Sequence, residues 1–174
     1  DRMLEDVRVF LEKQRPIGAM LLPPISENDA LAALCSELGV RYVRVGSAPL
    51  DDAAHCVSSN DREVVAEAVR KLISLGHRRI GFVRGPVGFR SAAEREEGFH
   101  AALREAGLTL PPDYFAPGNY RYAAGVEAGE KLLSLAEPPT ALFCSNDEMA
   151  AGVMSVAHGK GIAVLYKPFD LDEL

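Results

Sequence analysis

Leu72-Ile73-Ser74-Leu75-Gly76-His77-Arg78-Arg79-Ile80-Gly81-Phe82-Val83-Arg84-Gly85 is the stretch whose reading decides the fold. Just upstream, Val65, Val69, Leu72 and Ile73 recur at the spacing of one helix face. Asn60 or Asp61 supplies the cap that opens this helix. Gly76 closes it, because a residue without Cβ enters the left-handed turn that ends a helix. A short run, residues 80–83, then follows with no polar alternation. A strand apolar on both sides belongs in a parallel sheet with helices on each face. Helix, glycine stop and buried strand in immediate succession are half of a right-handed βαβ unit.

The same order recurs on both sides. Toward the N-terminus, Met3, Leu4, Val7, Phe10 and Leu11 mark a helix face, and Pro16 ends it. Residues 17–22 are an apolar run closed by Pro23 and Pro24, read as a strand covered on both faces. Ser26 then stands as an N-cap with Asp29 in the capping-box place. It opens a helix through Leu31, Leu34, Cys35 and Leu38 that stops at Gly39. Residues 41–45 read as a second strand. Toward the C-terminus, a helix over 91–106 ends at Gly107, a short strand lies near Tyr114 and Phe115, and a helix covers 123–135. A strand over 141–144 follows. Asn146 or Asp147 then caps a helix through Met149, Val153 and Val156, and residues 162–166 read as a last strand. Strict helix–strand alternation with buried strands predicts an α/β fold of Rossmann-like βαβ lobes with parallel sheets. The polar, aperiodic stretch 47–59 reads as the crossover between two lobes. The chain thus divides into a partial N-terminal lobe (1–59), a C-terminal lobe (60–164) and an atypical tail (165–174).

Composition narrows the function classes. Of the 174 residues, 48% are hydrophobic and 25% charged, which suits a packed core rather than disorder. Nineteen Lys and Arg face 25 Asp and Glu, giving a net charge of −6, so this chain by itself is not a phosphate-backbone binder. No apolar run reaches the length of about 18 residues that a membrane span needs. Cys35, Cys56 and Cys144 include no CxxC pair and read as reduced thiols. His55, His77, His100 and His158 lack metal-ligand spacing, and the glycines near Gly85 and Gly88 make neither a dinucleotide nor a Walker loop. Cys144 has no histidine beside it in the pattern to activate it. No cofactor, metal or catalytic group is expected, and the chain reads as a binding module rather than an enzyme.

In parallel sheets, ligands sit beyond the carboxyl ends of the strands. Three loops meet that rule: 84–95, 118–120 and 145–147. They offer Ser91, Arg95, Tyr120, Asn146 and Asp147. A guanidinium, a hydroxyl, an aromatic face and a carboxamide together suit a sugar, whose hydroxyls take multidentate hydrogen bonds and whose ring face packs on an aromatic plate. Each residue also has a structural alternative. Ser91, Asn146 and Asp147 are ordinary helix caps. Arg95 stands among Glu94, Glu96 and Glu97 as a solvated cation would. Tyr120 is also explained as a surface-loop aromatic.

Several motifs in order resemble the LacI/GalR family of bacterial repressors. They are the opening 72–85 stretch; Arg95-Glu96-Glu97-Gly98-Phe99 followed by Ala102-Leu103 and Gly107; Pro139-Thr140-Ala141-Leu142-Phe143-Cys144-Ser145-Asn146-Asp147-Glu148-Met149-Ala150-Ala151-Gly152; and Arg15-Pro16-Ile17-Gly18-Ala19-Met20-Leu21-Leu22-Pro23-Pro24. The resemblance covers about residues 1–164. It implies a type I periplasmic-binding-protein fold with a small effector, sugar or purine-like, in the cleft between two lobes. It also implies a cytoplasmic homodimer that touches operator DNA only through an N-terminal helix-turn-helix. By position, Arg95 matches the arginine that grips the effector, Ser91 a small hydroxyl residue one turn earlier, Tyr120 an aromatic against the effector, and Asn146 a polar contact. The alternatives at this stage are a periplasmic sugar-binding transport protein of the same fold, or an engineered or chimeric fragment.

The departures are equally specific. Measured against the family, the helix-turn-helix and the first strands of the N-terminal lobe are missing, so the chain reads as truncated at both ends and its fold as incomplete. Open sheet edges then predict self-association. Asn60-Asp61 stands where many members have Asp-Asn. After Val164 the chain reads Leu165-Tyr166-Lys167-Pro168-Phe169-Asp170-Leu171-Asp172-Glu173-Leu174, similar to the last strand of response-regulator receiver domains. No acidic pocket precedes it, so the receiver lysine's role is not carried over to Lys167.

Overall fold

The computed structural model describes residues 2–46 and 53–162. Two three-stranded, wholly parallel sheets form, as the helix–strand alternation predicts. The first contains β1 (Gly18–Leu21), β2 (Arg41–Gly46) and β3 (Cys56–Ser58) in the order β1-β2-β3, with Ala19 opposite Tyr42 and Val45 opposite Val57. Helices α1 (Arg2–Gln14) and α2 (Asp29–Glu37) cover one face of it. Leu4, Val7 and Leu11 of α1 meet Leu31, Leu34 and Cys35 of α2 over Ala19, Leu21 and Tyr42.

Three expectations change here. The 17–22 run is not covered on both faces among the described residues, since Met20 is 66% exposed and Ile17 84%. Ser26 is not the cap of α2. It lies in a 3-10 turn, Ile25–Glu27, and is fully buried, while Asn28 takes the capping place and its Oδ1 accepts from Leu31 N at 3.1 Å. The cause is Arg44, whose guanidinium draws the turn inward by donating from Nε to the Ser26 carbonyl at 2.6 Å. Finally, stretch 47–59 contains β3, which extends the first sheet. Residues 47–52, most of the strand expected over 162–166, and the whole tail lie outside the described residues.

In the second sheet, β4 (Ile80–Val83) lies between β5 (Phe115–Ala116) and β6 (Ala141–Cys144). Its four residues are all buried, which is what an apolar run without alternation requires. One face carries α3 (Asp61–Ser74) and α4 (Arg90–Glu105), with Val65, Val69, Phe99 and Leu103 over Ile80 and Phe82. The other face carries α5 (Tyr122–Leu133) and α6 (Asp147–Gly159), with Leu132, Met149 and Val153 over Val83 and Ala116. Phe82 and Phe99 stack at 4.6 Å between ring centroids. The two helices of the second face cross at Gly152, where a Cβ would run into the Tyr122 carbonyl and the Val126 amide.

The stretch that opened the sequence reading forms a clamp at the amino end of this sheet. Gly76 takes φ 94°, and the His77 amide donates to the Leu72 carbonyl at 3.1 Å. Arg78 Nη1 adds a bond to the Ile73 carbonyl at 2.8 Å, supplying a donor to an otherwise open helix end. His77 Nδ1 meets Thr140 Oγ1 at 2.9 Å, and Arg79 Nε donates to the Pro138 carbonyl at 3.2 Å. The motif therefore ties α3 to the start of β6. It does so at the end of the sheet opposite the loops that follow the strands.

Candidate functional site

At the carboxyl ends of β4, β5 and β6 the backbone itself is tied together. Ser145 donates from N and from Oγ to the Val83 carbonyl, at 3.0 and 2.8 Å, and Arg84 N donates to the Ala116 carbonyl at 2.9 Å. The three loops after these strands are thereby held on one rim. Helix α4 starts from this rim, so Ser91 and, one turn later, Arg95 both rise from it.

Arg95 is the centre of the arrangement. Its Nε donates to Asp61 Oδ2 at 2.6 Å and its Nη1 to the Ser145 carbonyl at 2.5 Å. Its guanidinium carbon sits 5.8 Å from the centroid of the Tyr120 ring, within cation–π reach. The solvated-cation alternative is thus replaced by a half-buried arginine held at Nε and Nη1. Tyr120 adopts φ 65°, the left-handed region, and its ring meets Phe89 edge-on at 6.2 Å. Its hydroxyl is buried and has no hydrogen-bond partner among the described residues. Gly85 makes room for it, since a Cβ there would sit 2.7 Å from that hydroxyl.

Asn146 caps α6, with Oδ1 accepting from Met149 N at 3.1 Å, while its Nδ2 donates to the Tyr120 carbonyl at 2.9 Å. Its amide is therefore spent on structure, partly on holding Tyr120. Asp147 opens α6 and is exposed. Ser91 is buried but is not the cap of α4, because the capping place belongs to Phe89, which contributes no side-chain bond. The cap comes from the first sheet's side of the molecule. Glu27 accepts from Arg90 N at 2.7 Å and from Ser91 N at 3.2 Å, one carboxylate oxygen each. A carboxylate on two open amides at the positive end of a helix is well placed electrostatically.

Beside it, Asp29 bridges Arg44 at 2.7 Å and Arg90 at 3.0 Å. Arg44 is 1% exposed, a buried charge that stays tolerable because Asp29 and the Ser26 carbonyl satisfy it. The hydrogen bond from Arg44, reinforced by the Arg90 charge, holds the Asp29 carboxyl below its ordinary value. The sequence reading did not place Glu27, Asp29, Arg90 or Asp61 at the site; it took Asp29 and Asp61 only for parts of helix caps. Glu27 and Asp29 follow β1 as the other loops follow theirs, so the same strand-end rule, carried to the first sheet, finds them.

Burial pushes the Cys144 thiol up to about 12, so it is protonated at neutral pH and a poor nucleophile. Among the described residues, no group of three or more His, Cys, Asp or Glu is placed to hold a metal ion. No helix among them is long and apolar enough to cross a membrane.

Comparison with known proteins agrees with this architecture. The family model described as the periplasmic binding protein-like domain matches residues 69–164. The probable HTH-type transcriptional repressor ExuR of Bacillus subtilis is 42% identical over 108 residues, 62% of this chain and 32% of its own. A regulatory protein of the LacI family from Chloroflexus aggregans superposes with a TM-score of 0.79 at 27% identity, over 91% of this chain and 57% of that one. The transcriptional regulator CelR in complex with cellobiose superposes with a TM-score of 0.78 at 30% identity, over 92% of this chain and 50% of that one. The chain spans about a third of the length of the curated relatives it matches. These relatives are repressors, so the transport-protein and chimera alternatives are not favoured. With two parallel-sheet units meeting at a polar rim, the chain belongs to the periplasmic binding protein-like domain family.

Proposed function

We propose that this chain is the ligand-sensing core of a cytoplasmic LacI-type transcriptional regulator. Residues 1–59 and 60–164 act as its two lobes. A small effector, a sugar or purine-like molecule, binds at the rim of Ser91, Arg95, Tyr120, Asn146 and Asp147. Binding changes how the whole protein, as a homodimer, holds operator DNA through a separate helix-turn-helix. The core binds its effector and does not turn it over. The observation that carries this reading is the convergence on Arg95: one guanidinium joins α3, α4, the β6 loop and the Tyr120 ring. An arginine presented beside an aromatic plate is a recognition device for hydroxyl-rich rings. Within it, Arg95 and Tyr120 meet the effector. Asn146 acts by fixing Tyr120, and Ser91 and Asp147 flank them.

Isothermal titration of the intact chain with cellobiose, D-glucose, D-ribose, cytidine and adenine tests this. At least one should give saturable binding that Arg95→Ala weakens by tenfold or more. Saturable binding unaffected by Arg95→Ala would refute the site, and no binding to any of the five would refute the sensing role.

A further inference from the structure

Arg95, Arg90 and Arg44 each already face a carboxylate of the same chain. Arg95 Nε lies 2.6 Å from Asp61 Oδ2, and the two side chains are only 24% and 14% exposed. Ser59 Oγ donates to the other Asp61 oxygen at 2.6 Å, which fixes the plane of the carboxylate. Arg90 and Arg44 share Asp29. The positive end of α4 is covered by Glu27. Asp147 and Glu148 add two more carboxylates at the start of α6. Asp61 is the second half of the Asn60-Asp61 pair whose order departs from the family pattern, and nothing in the proposed effector contacts uses it.

We infer that Asp61 sets the charge specificity of the site: by neutralising Arg95 it makes the rim select an uncharged polyhydroxy effector over the matching carboxylate or phosphate. This rests on the effector reading above and deepens it. An anion bound at Arg95 has two courses. It displaces Asp61 and forfeits a short charge-assisted bond, or it sits beside a carboxylate whose charge is already spent on the same guanidinium. A hydroxyl does neither, since it is a neutral acceptor that leaves the ion pair in place. The repulsive partner is as much a part of selectivity as the attractive one. Asp61 therefore acts as a positioning and discriminating residue, working through Arg95.

The test is isothermal titration of the intact chain, wild type, Asp61→Asn and Asp61→Glu, with matched pairs: D-glucose against D-glucuronate, and D-ribose against D-ribose 5-phosphate. In the wild type the neutral member binds at least tenfold tighter, about 1.4 kcal/mol. Asp61→Asn moves that preference about tenfold toward the anion, and Asp61→Glu restores it. A second measurement needs no variant. In the wild type the preference for the neutral member shrinks as salt rises, because screening relieves the repulsion. Asp61 as a merely structural residue weakens both members of a pair equally, and that result overturns the inference. An anion bound more tightly by the wild type overturns it too, as does a neutral preference that grows with salt, while the effector reading stands in all three cases. Absence of binding by both members of both pairs overturns the effector reading and this inference together.

Discussion

Replacing Glu27 tests how the first sheet is held to the second. Its carboxylate is the cap of α4, yet it lies 63 residues away in sequence from the amide it meets most closely, at 2.7 Å. Two terms set the size of the effect. Losing a side-chain cap typically costs about 1 kcal/mol, within a range of about 0.5–2. Losing a negative charge at a helix N-terminus costs about a further 0.3–1 kcal/mol. Glu27→Ala removes both and should destabilise the chain by about 1.3–2 kcal/mol in urea unfolding at neutral pH. Glu27→Gln keeps one carbonyl acceptor and loses the charge and the second acceptor, so it should fall between wild type and alanine. Hydrogen exchange localises the effect, because the Arg90 and Ser91 amides should lose protection in Glu27→Ala while the buried β4 amides keep theirs. Unchanged protection at Arg90 and Ser91 would refute the cap. An equal loss across β4 would show that Glu27 matters to the whole fold and not to this contact.

The remaining predictions concern ionisation. The Asp29 carboxyl titrates below its ordinary value of 3.8 because Arg44, then Arg90, favours its charged form. A depressed folded value means that the stabilisation is present above the unfolded value and is lost as pH falls through the folded one. Asp29→Asn should therefore show a shallower loss of stability than wild type between about pH 5 and pH 2. Parallel acid limbs in urea unfolding would count against the bridge. For the thiols, Ellman's reagent at pH 8 should label Cys56 in the native chain and leave Cys144 unlabelled until unfolding, since burial holds that thiol near 12. Labelling of native Cys144 as fast as Cys56 would contradict the raised Cys144 thiol.

How much of this was legible in the sequence depends on where each contact lies along the chain. Strands β4 and β6 were readable because each is a short apolar run bounded by a glycine stop or prolines, and β4 lies wholly buried between β5 and β6. Strand β3 was not. It has three residues, pairs among the described residues with β2 alone, and leaves Val57 exposed, so burial imposes no pattern on it. The run before Pro23 misled in the opposite direction. Its composition is that of a strand covered twice, while Leu21 points into the core and Met20 away from it. Composition registers apolarity, but only packing shows which face uses it.

The site divides along the same line. Ser91 and Arg95 are one helical turn apart, so spacing within a single element brings them to the rim together. The carboxylates that meet them come from elsewhere: Glu27 from the turn after β1 and Asp61 from the first turn of α3, with Asp29 at the start of α2 holding the neighbouring Arg90. A pattern confined to one element cannot register a charge pair closed across 34 or 61 residues. Asn146 shows why the structural and functional readings of one residue need not compete. It is a helix cap, as its position predicts, and the same amide holds the Tyr120 carbonyl at 2.9 Å. Tyr120 can keep its left-handed backbone and present its ring beside Arg95 because the cap is also an anchor. A residue spent on structure at this rim is, through Tyr120, a residue that shapes what the rim can bind.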